Sequence, residues 1–266
     1  MTARVLPLPT VPASAPVTAI LRAVDHLPWD TIVDAVRPHI VRIATPRANG
    51  TGFLFFNSKR GGFAAVATAG HVISAAHVWE EPIRLQHHAS RASLLTRASD
   101  RAVLLNTEND VAAILFNLGE LPLPDEPLPL TQKDLLVKVG GEIGWLGFPS
   151  ISTDLCFFSG RVSTHIARTE RYLVDGVAIH GVSGGPAFHA AKDRVSLMGV
   201  VSAYVPNLSA GEPLPGLAIV TDVTEFHQMI AAFKSLDEAQ AEQTPPSDVR
   251  PARVTDPAPA SGIDPK

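Results

Sequence analysis

The sequence predicts an all-β protein whose strands fall into two groups, as two packed antiparallel barrels or a sandwich. Three observations carry this. Short runs rich in Val, Ile, Phe and Thr recur along the chain, bounded by Gly, Asn, Asp and Ser. The prolines cluster at three places and divide the chain. No repeat of roughly 20–50 residues is visible, which sets aside a solenoid or propeller.

Residues 1–24 contain Pro7, Pro9, Pro12 and Pro16 and read as a flexible extension. One folded unit is expected over 25–236. It opens with a short helix, Trp29 to Val36, whose Ile32, Val33 and Val36 recur at helical spacing before Pro38. The first barrel, about 38–118, has strands at His39 to Thr45, Gly52 to Asn57, Phe63 to Thr68 and Val111 to Asn117. Pro122, Pro124, Pro127 and Pro129 mark a linker, 119–134. The second barrel, about 135–222, has strands at Ile143 to Gly147, Leu155 to Val162, Tyr172 to Ile179, Val195 to Tyr204 and Leu217 to Thr221. A C-terminal helix, Val223 to Leu236, puts Phe226, Met229, Ile230 and Phe233 on one face, with Asp222 placed to cap it. The rest, 237–266, is rich in Pro, Ala, Asp and Ser and is expected to be disordered.

Composition excludes several functions. The 266 residues suffice for one large domain or two packed halves. The net charge is -4 and the 22 basic residues are scattered, so no nucleic-acid surface is expected. A single cysteine, Cys156, forbids an internal disulfide and reads as a small buried apolar residue. No apolar run approaches the ~20 residues that span a bilayer, so no membrane partner is expected. Ala13-Ser14-Ala15 has the small residues of a leader cleavage site. However, Arg4 is the only early positive side chain and prolines break any apolar helix, so the chain is read as cytoplasmic.

Three stretches carry chemistry. In Gly181-Val182-Ser183-Gly184-Gly185-Pro186, glycines around a serine let backbone N–H groups converge where an oxyanion would form. A tight turn with a surface serine is the plainer reading. The string also fits the Gly-x-Ser-x-Gly elbow of α/β-hydrolase esterases, with Asp222 and His227 downstream, but Gly184-Gly185-Pro186 is a poor helix start. In Ala67-Thr68-Ala69-Gly70-His71-Val72, a strand ends by presenting a histidine, a rigid mount for a general base. His77 has a similar setting in Ala75-Ala76-His77-Val78, but falls on a different side of a helical turn. In Glu108-Asn109-Asp110 before Val111-Ala112-Ala113-Ile114-Leu115, a carboxylate at a strand start is placed to orient an imidazole. Taken alone, Asn-Asp also suits an ordinary turn.

Together, in the order His, Asp, Ser, these motifs resemble the trypsin-like serine peptidases over about Val41 to Phe233. Gly50-Thr51-Gly52-Phe53, Gly199-Val200-Val201-Ser202 and Pro215-Gly216-Leu217-Ala218 resemble further family segments. The resemblance implies a chymotrypsin-like fold of two six-stranded antiparallel barrels with the active site between them. It implies Ser183 as nucleophile, His71 as base, Asp110 as its orienter, and the N–H groups of Gly181 and Ser183 as oxyanion hole. Val177, His180, Ser202, Ala203, Tyr204 and Gly216 become substrate-binding positions, with no charge at the pocket base. Val182 stands where digestive members carry an activating aspartate, and their disulfides are absent. Both departures resemble the intracellular, HtrA-like bacterial branch, here without a PDZ-sized region.

No cofactor is expected, and the adjacent His87-His88 lack ligand spacing and read as solvated loop residues rather than a metal site. The expected partner is a protein or peptide substrate. The alternatives are a catalytically idle peptide-binding module on the same fold, or a protease switched on by a regulatory partner.

Overall fold

A computed structural model describes residues 27–133, 135–190, 195–206 and 215–243. The expected extension, 1–24, and the tail beyond 243 lie outside the described residues. In chain order the elements are α1 (Trp29–Val36), β1 (Ile40–Ala44), β2 (Asn49–Ser58), β3 (Phe63–Ala69), α2 (Gly70–Val78), β4 (Ile83–His87), β5 (Ser93–Thr96), β6 (Ala102–Asn106) and β7 (Val111–Asn117). After the linker come β8 (Glu142–Gly147), β9 (Cys156–Ile166), β10 (Arg171–Asp175), β11 (Pro186–Ala190), β12 (Val195–Pro206), β13 (Pro215–Asp222) and α3 (Thr224–Gln243).

The strands form two antiparallel units. The second is a closed barrel in the order β10-β13-β12-β11-β8-β9. The first is a curled sheet in the order β5-β4-β1-β2-β3-β7-β6, with seven strands where six were expected. Its edges β5 and β6 are not paired with each other. Arg101 stitches that gap, donating to the carbonyls of Thr96, Ala76 and Glu81 at 2.8, 3.3 and 2.8 Å.

Period-2 alternation explains how one strand serves two cores. On β2, Phe53 and Phe55 face a central cluster between the units, while Leu54 faces the interior of the first sheet. On β7, Val111, Ala113 and Leu115 face the central cluster, and Ala112, Ile114 and Phe116 the interior. The second barrel encloses Ile143, Trp145, Val174, Val182 and Val220. α1 and α3 close the central cluster with Ile32, Val36, Phe226, Met229 and Phe233.

Several expectations change in detail. β4, β5, β6 and β11 are additional strands; β11 begins at Pro186, a strand position that loses no ladder donor. β10 stops at Asp175, four residues short of the expected Ile179, and Val177 is exposed. α3 runs seven residues past Leu236 to Gln243, and its N-terminal Thr224 N–H donates to Asp222 Oδ1 at 2.9 Å. His87 is no solvated loop residue: it ends β4, is buried, and bonds the Ser90 hydroxyl and the Pro38 carbonyl. Cys156 is only partly buried, at the start of β9. The linker docks as a strap, with Thr131 N–H to Leu197 O and Leu197 N–H to Pro129 O, both 2.8 Å. Among the described residues no helix is long and apolar enough to cross a membrane.

Phe226 is fully buried and its ring contacts those of Phe53 and Phe55 at 6.2 and 5.5 Å. Phe226→Ala is expected to destabilise the fold by about 3–5 kcal/mol, the range for a truncated core phenylalanine, read from denaturant melts. A loss under about 1 kcal/mol would mean that α3 does not close this core.

Candidate active site

β3 ends at Ala69 and α2 begins at once, so His71 stands in the first turn of a helix. Gly70 permits this junction: a Cβ there would lie 3.2 Å from both Asp110 Oδ1 and Leu105 Cδ1. The Gly70 N–H donates to the Asp110 carbonyl at 3.0 Å. The His71 N–H donates to Asp110 Oδ1 at 2.8 Å, so the carboxylate also caps the helix N-terminus.

The same carboxylate receives the imidazole. His71 Nδ1 lies 2.9 Å from Asp110 Oδ2 and 3.1 Å from Oδ1. An ionised carboxylate only accepts, so Nδ1 carries the proton and Nε2 of the neutral ring is left as the acceptor. The His71 side chain is 50% exposed, that of Asp110 only 22%. His77 sits on the exposed side of α2.

Asp110 has φ 55°, in the left-handed region. Such backbone costs most residues about 1–2 kcal/mol, and aspartate is among those that tolerate it. Ser202, buried on β12, donates its hydroxyl to Asp110 Oδ2 at 2.5 Å. Burial pushes the Asp110 carboxyl up, but the hydrogen bonds from His71 and Ser202 outweigh it and hold it below the usual carboxylate range.

The serine loop is set by glycines and one threonine. Gly181 and Gly184 have φ of +90° and +86°. A Cβ on Gly184 would collide with the Thr51 carbonyl and the Thr68 hydroxyl, and one on Gly181 with the Phe148 carbonyl. The loop therefore nests against β2 and β3, close to where His71 emerges. Gly50 sits between the two sides, because a Cβ there would meet both Val72 and the Ser183 carbonyl. Fully buried Thr51 holds the loop: its N–H donates to Ser183 O at 2.9 Å, and its Oγ1 to Gly181 O at 2.8 Å. The same oxygen accepts from Phe148 N–H at 3.0 Å.

Ser150 N–H donates to the His180 carbonyl at 2.7 Å. In a trans peptide the N–H points opposite to the C=O, so the Gly181 N–H is turned away from Ser150. Among the described residues no backbone carbonyl accepts from the N–H of Gly181 or Ser183.

Of the other expected positions, Val177, His180 and Gly216 are exposed. Ala203 and Tyr204 lie on β12, but their side chains fall outside the described residues. The Ser202 hydroxyl serves Asp110, a role not foreseen for it. In the sequence Thr51 stands out only as part of Gly50-Thr51-Gly52-Phe53. Neither contact has a local signal, because the partners lie 130 and 92 residues apart in sequence. A cavity of about 510 Å³ lies elsewhere, lined by Leu130, Leu135, Leu136, His189 and Ser196. Among the described residues no group of His, Cys, Asp and Glu could hold a metal ion.

A family model described as trypsin-like peptidase domain matches residues 50–197. No curated protein matches the chain in sequence. Similar solved structures include the active form of the Rv3671c protease of M. tuberculosis: 19% identity, TM-score 0.57, 86% of this chain and 93% of that one. An inactive form, the Ser343Ala mutant, gives 18% identity and TM-score 0.56, covering 85% of this chain and 98% of that one. The serine endoprotease of Yersinia pestis gives 16% identity and TM-score 0.57, over 77% of this chain and 66% of that one.

Two outcomes follow. Thr51→Val leaves a buried N–H and a buried carbonyl without their partner, and should cost about 1–3 kcal/mol for each group in a denaturant melt; Thr51→Ser should retain most of it. The depressed Asp110 carboxyl contributes stability above its ordinary range, lost as pH falls through its lower folded value. Wild-type stability should therefore decline relative to Asp110→Asn once pH drops below about 4, measured by melts across pH. A constant difference would rule out an ionised Asp110 as the cause.

Proposed function

The chain belongs to the trypsin-like peptidase family, and from that premise we propose that it is a serine endopeptidase using His71, Asp110 and Ser183. The observation that carries the proposal is the imidazole of His71, held by Asp110 at 2.9 and 3.1 Å and half exposed, just past the end of β3, against which the Ser183 loop packs.

In this reading Ser183 Oγ attacks the scissile carbonyl carbon and its proton passes to His71 Nε2. The oxyanion accepts from the N–H groups of Gly181 and Ser183, to which no backbone carbonyl among the described residues is bonded. The C–N bond then breaks, and the leaving amine takes the proton from His71. Water, deprotonated by the same nitrogen, attacks the acyl-enzyme ester and frees Ser183. Asp110 fixes the tautomer and stabilises the imidazolium throughout.

Activation by a new N-terminus is not part of the proposal. Val182 is fully buried with Trp145 and Val220, leaving no acid there to receive an ammonium group. By the family resemblance Val177, Ala203, Tyr204 and Gly216 take the positions that line the pocket for the residue before the cleaved bond, which in this reading is a small or medium apolar one.

The test is a fluorophosphonate probe on the purified protein, with adduct mapping by mass spectrometry. Ser183 should be labelled in the wild type, and both Ser183→Ala and His71→Ala should abolish the label. Absence of label on folded wild-type protein would favour a peptide-binding module or a partner-switched site. A peptide-library profile dominated by Arg or Lys would refute the apolar preference.

A further inference from the structure

Asp110 owes its pose to a turn, and one carboxylate from another part of the fold grips that turn at both ends. Asn106, the last residue of β6, and Val111, the first of β7, are register partners, so Asp110 closes a tight connection. Asn106 Oδ1 folds inward and accepts from the N–H groups of Glu108 and Asn109 at 3.0 and 3.1 Å. Its amide nitrogen is thereby aimed outward, at α3. There Glu225, in the first turn of that helix, accepts from Asn106 Nδ2 at 3.1 Å through Oε2 and from Asn109 Nδ2 at 2.7 Å through Oε1.

The chemistry of this site is specific. Both asparagines present N–H donors, and a carboxylate is the side-chain group that offers two acceptor oxygens and no donor. A glutamine would turn an NH₂ toward one of them, and an alanine would release both. Further hydrogen bonds reach the same turn from the second half of the chain: Thr221 Oγ1 to Asn109 O at 3.1 Å, and Arg171 Nη2 to Glu108 O at 2.9 Å. These grip carbonyls along the turn. Glu225 instead spans it, clamping the residue next to left-handed Asp110 against the residue at the turn's entry.

We propose that Glu225 is a positioning residue for the candidate catalytic pair, fixing Asp110, and through it the His71 imidazole, from the C-terminal helix. This rests on the reading of His71 and Asp110 as catalytic. Glu225 bonds the asparagines and not the imidazole; it acts through Asn109.

The experiment compares full-length wild type, Glu225→Gln and Glu225→Ala. It reads kcat and KM on a peptide the wild type cleaves, the rate of fluorophosphonate labelling, and hydrogen exchange of amides 107–110. Glu225→Ala should lower kcat and labelling roughly 10–100-fold with KM nearly unchanged, the scale of a small misplacement of a reacting group. Glu225→Gln, which keeps one acceptor and the side-chain shape, should fall between, and exchange at 107–110 should quicken in the same order. Wild-type kcat in a folded Glu225→Ala, a raised KM with kcat intact, or unchanged exchange would each overturn the proposal. If the wild type neither cleaves nor takes the label, the reading of the isolated chain as an active hydrolase fails by itself, and exchange at 107–110 still decides whether Glu225 holds the turn.

Discussion

The candidate site depends on the polar groups of one buried residue, Thr51. Two β-units packed through an apolar cluster have nothing in that cluster to fix their mutual register, since hydrophobic contact is non-directional. Thr51 supplies direction. Its N–H and hydroxyl bond Ser183 O, Gly181 O and the Phe148 N–H, all in the second half of the chain. Its carbonyl accepts from Thr68 Oγ1 at 2.7 Å, three residues before His71. The serine loop and the histidine strand are thus referred to one point. Each bond is costly to leave unmade in a dry interior, which makes the arrangement discriminating.

A second set of contacts places the acid. Asp110 belongs to the first sheet by chain connection, yet its turn is also held by groups from the second half: Ser202, Thr221, Arg171 and Glu225. The boundary between the units is therefore crossed twice, once through Thr51 and once through the Asp110 turn. Both crossings are polar and both lie within a residue or two of a candidate catalytic group. The apolar cluster supplies most of the adhesion, and these two crossings decide alignment.

The candidate site combines opposite electrostatic demands. Asp110 is mostly enclosed, which would raise its carboxyl, but donors from His71 and Ser202 keep it ionised. His71 stays half exposed. An ionised, enclosed acid beside an accessible imidazole suits a base that takes up and returns a proton while keeping one orientation.

Local patterns along the chain suffice for the fold class, most strands, helices α1 and α3, and the three motifs, but not for α2. These rest on local signals: the short apolar run of Val111–Asn117 bounded by Asn and Asp, helical spacing in Trp29–Val36, and glycines flanking Ser183 where φ is positive. Tertiary structure decided what local patterns do not encode. Ile83–His87 and Ser93–Thr96 are short strands interrupted by polar residues, and pairing with β1 and with each other makes them strands. His87 reads as polar and solvated until the Ser90 hydroxyl and the Pro38 carbonyl satisfy both ring nitrogens and allow its burial. Thr51, Ser202 and Glu225 look ordinary in sequence, because their partners lie 130, 92 and 116 residues away. Such contacts arise only when the whole chain has closed, since a hydrogen bond between distant residues leaves no periodic trace in either segment.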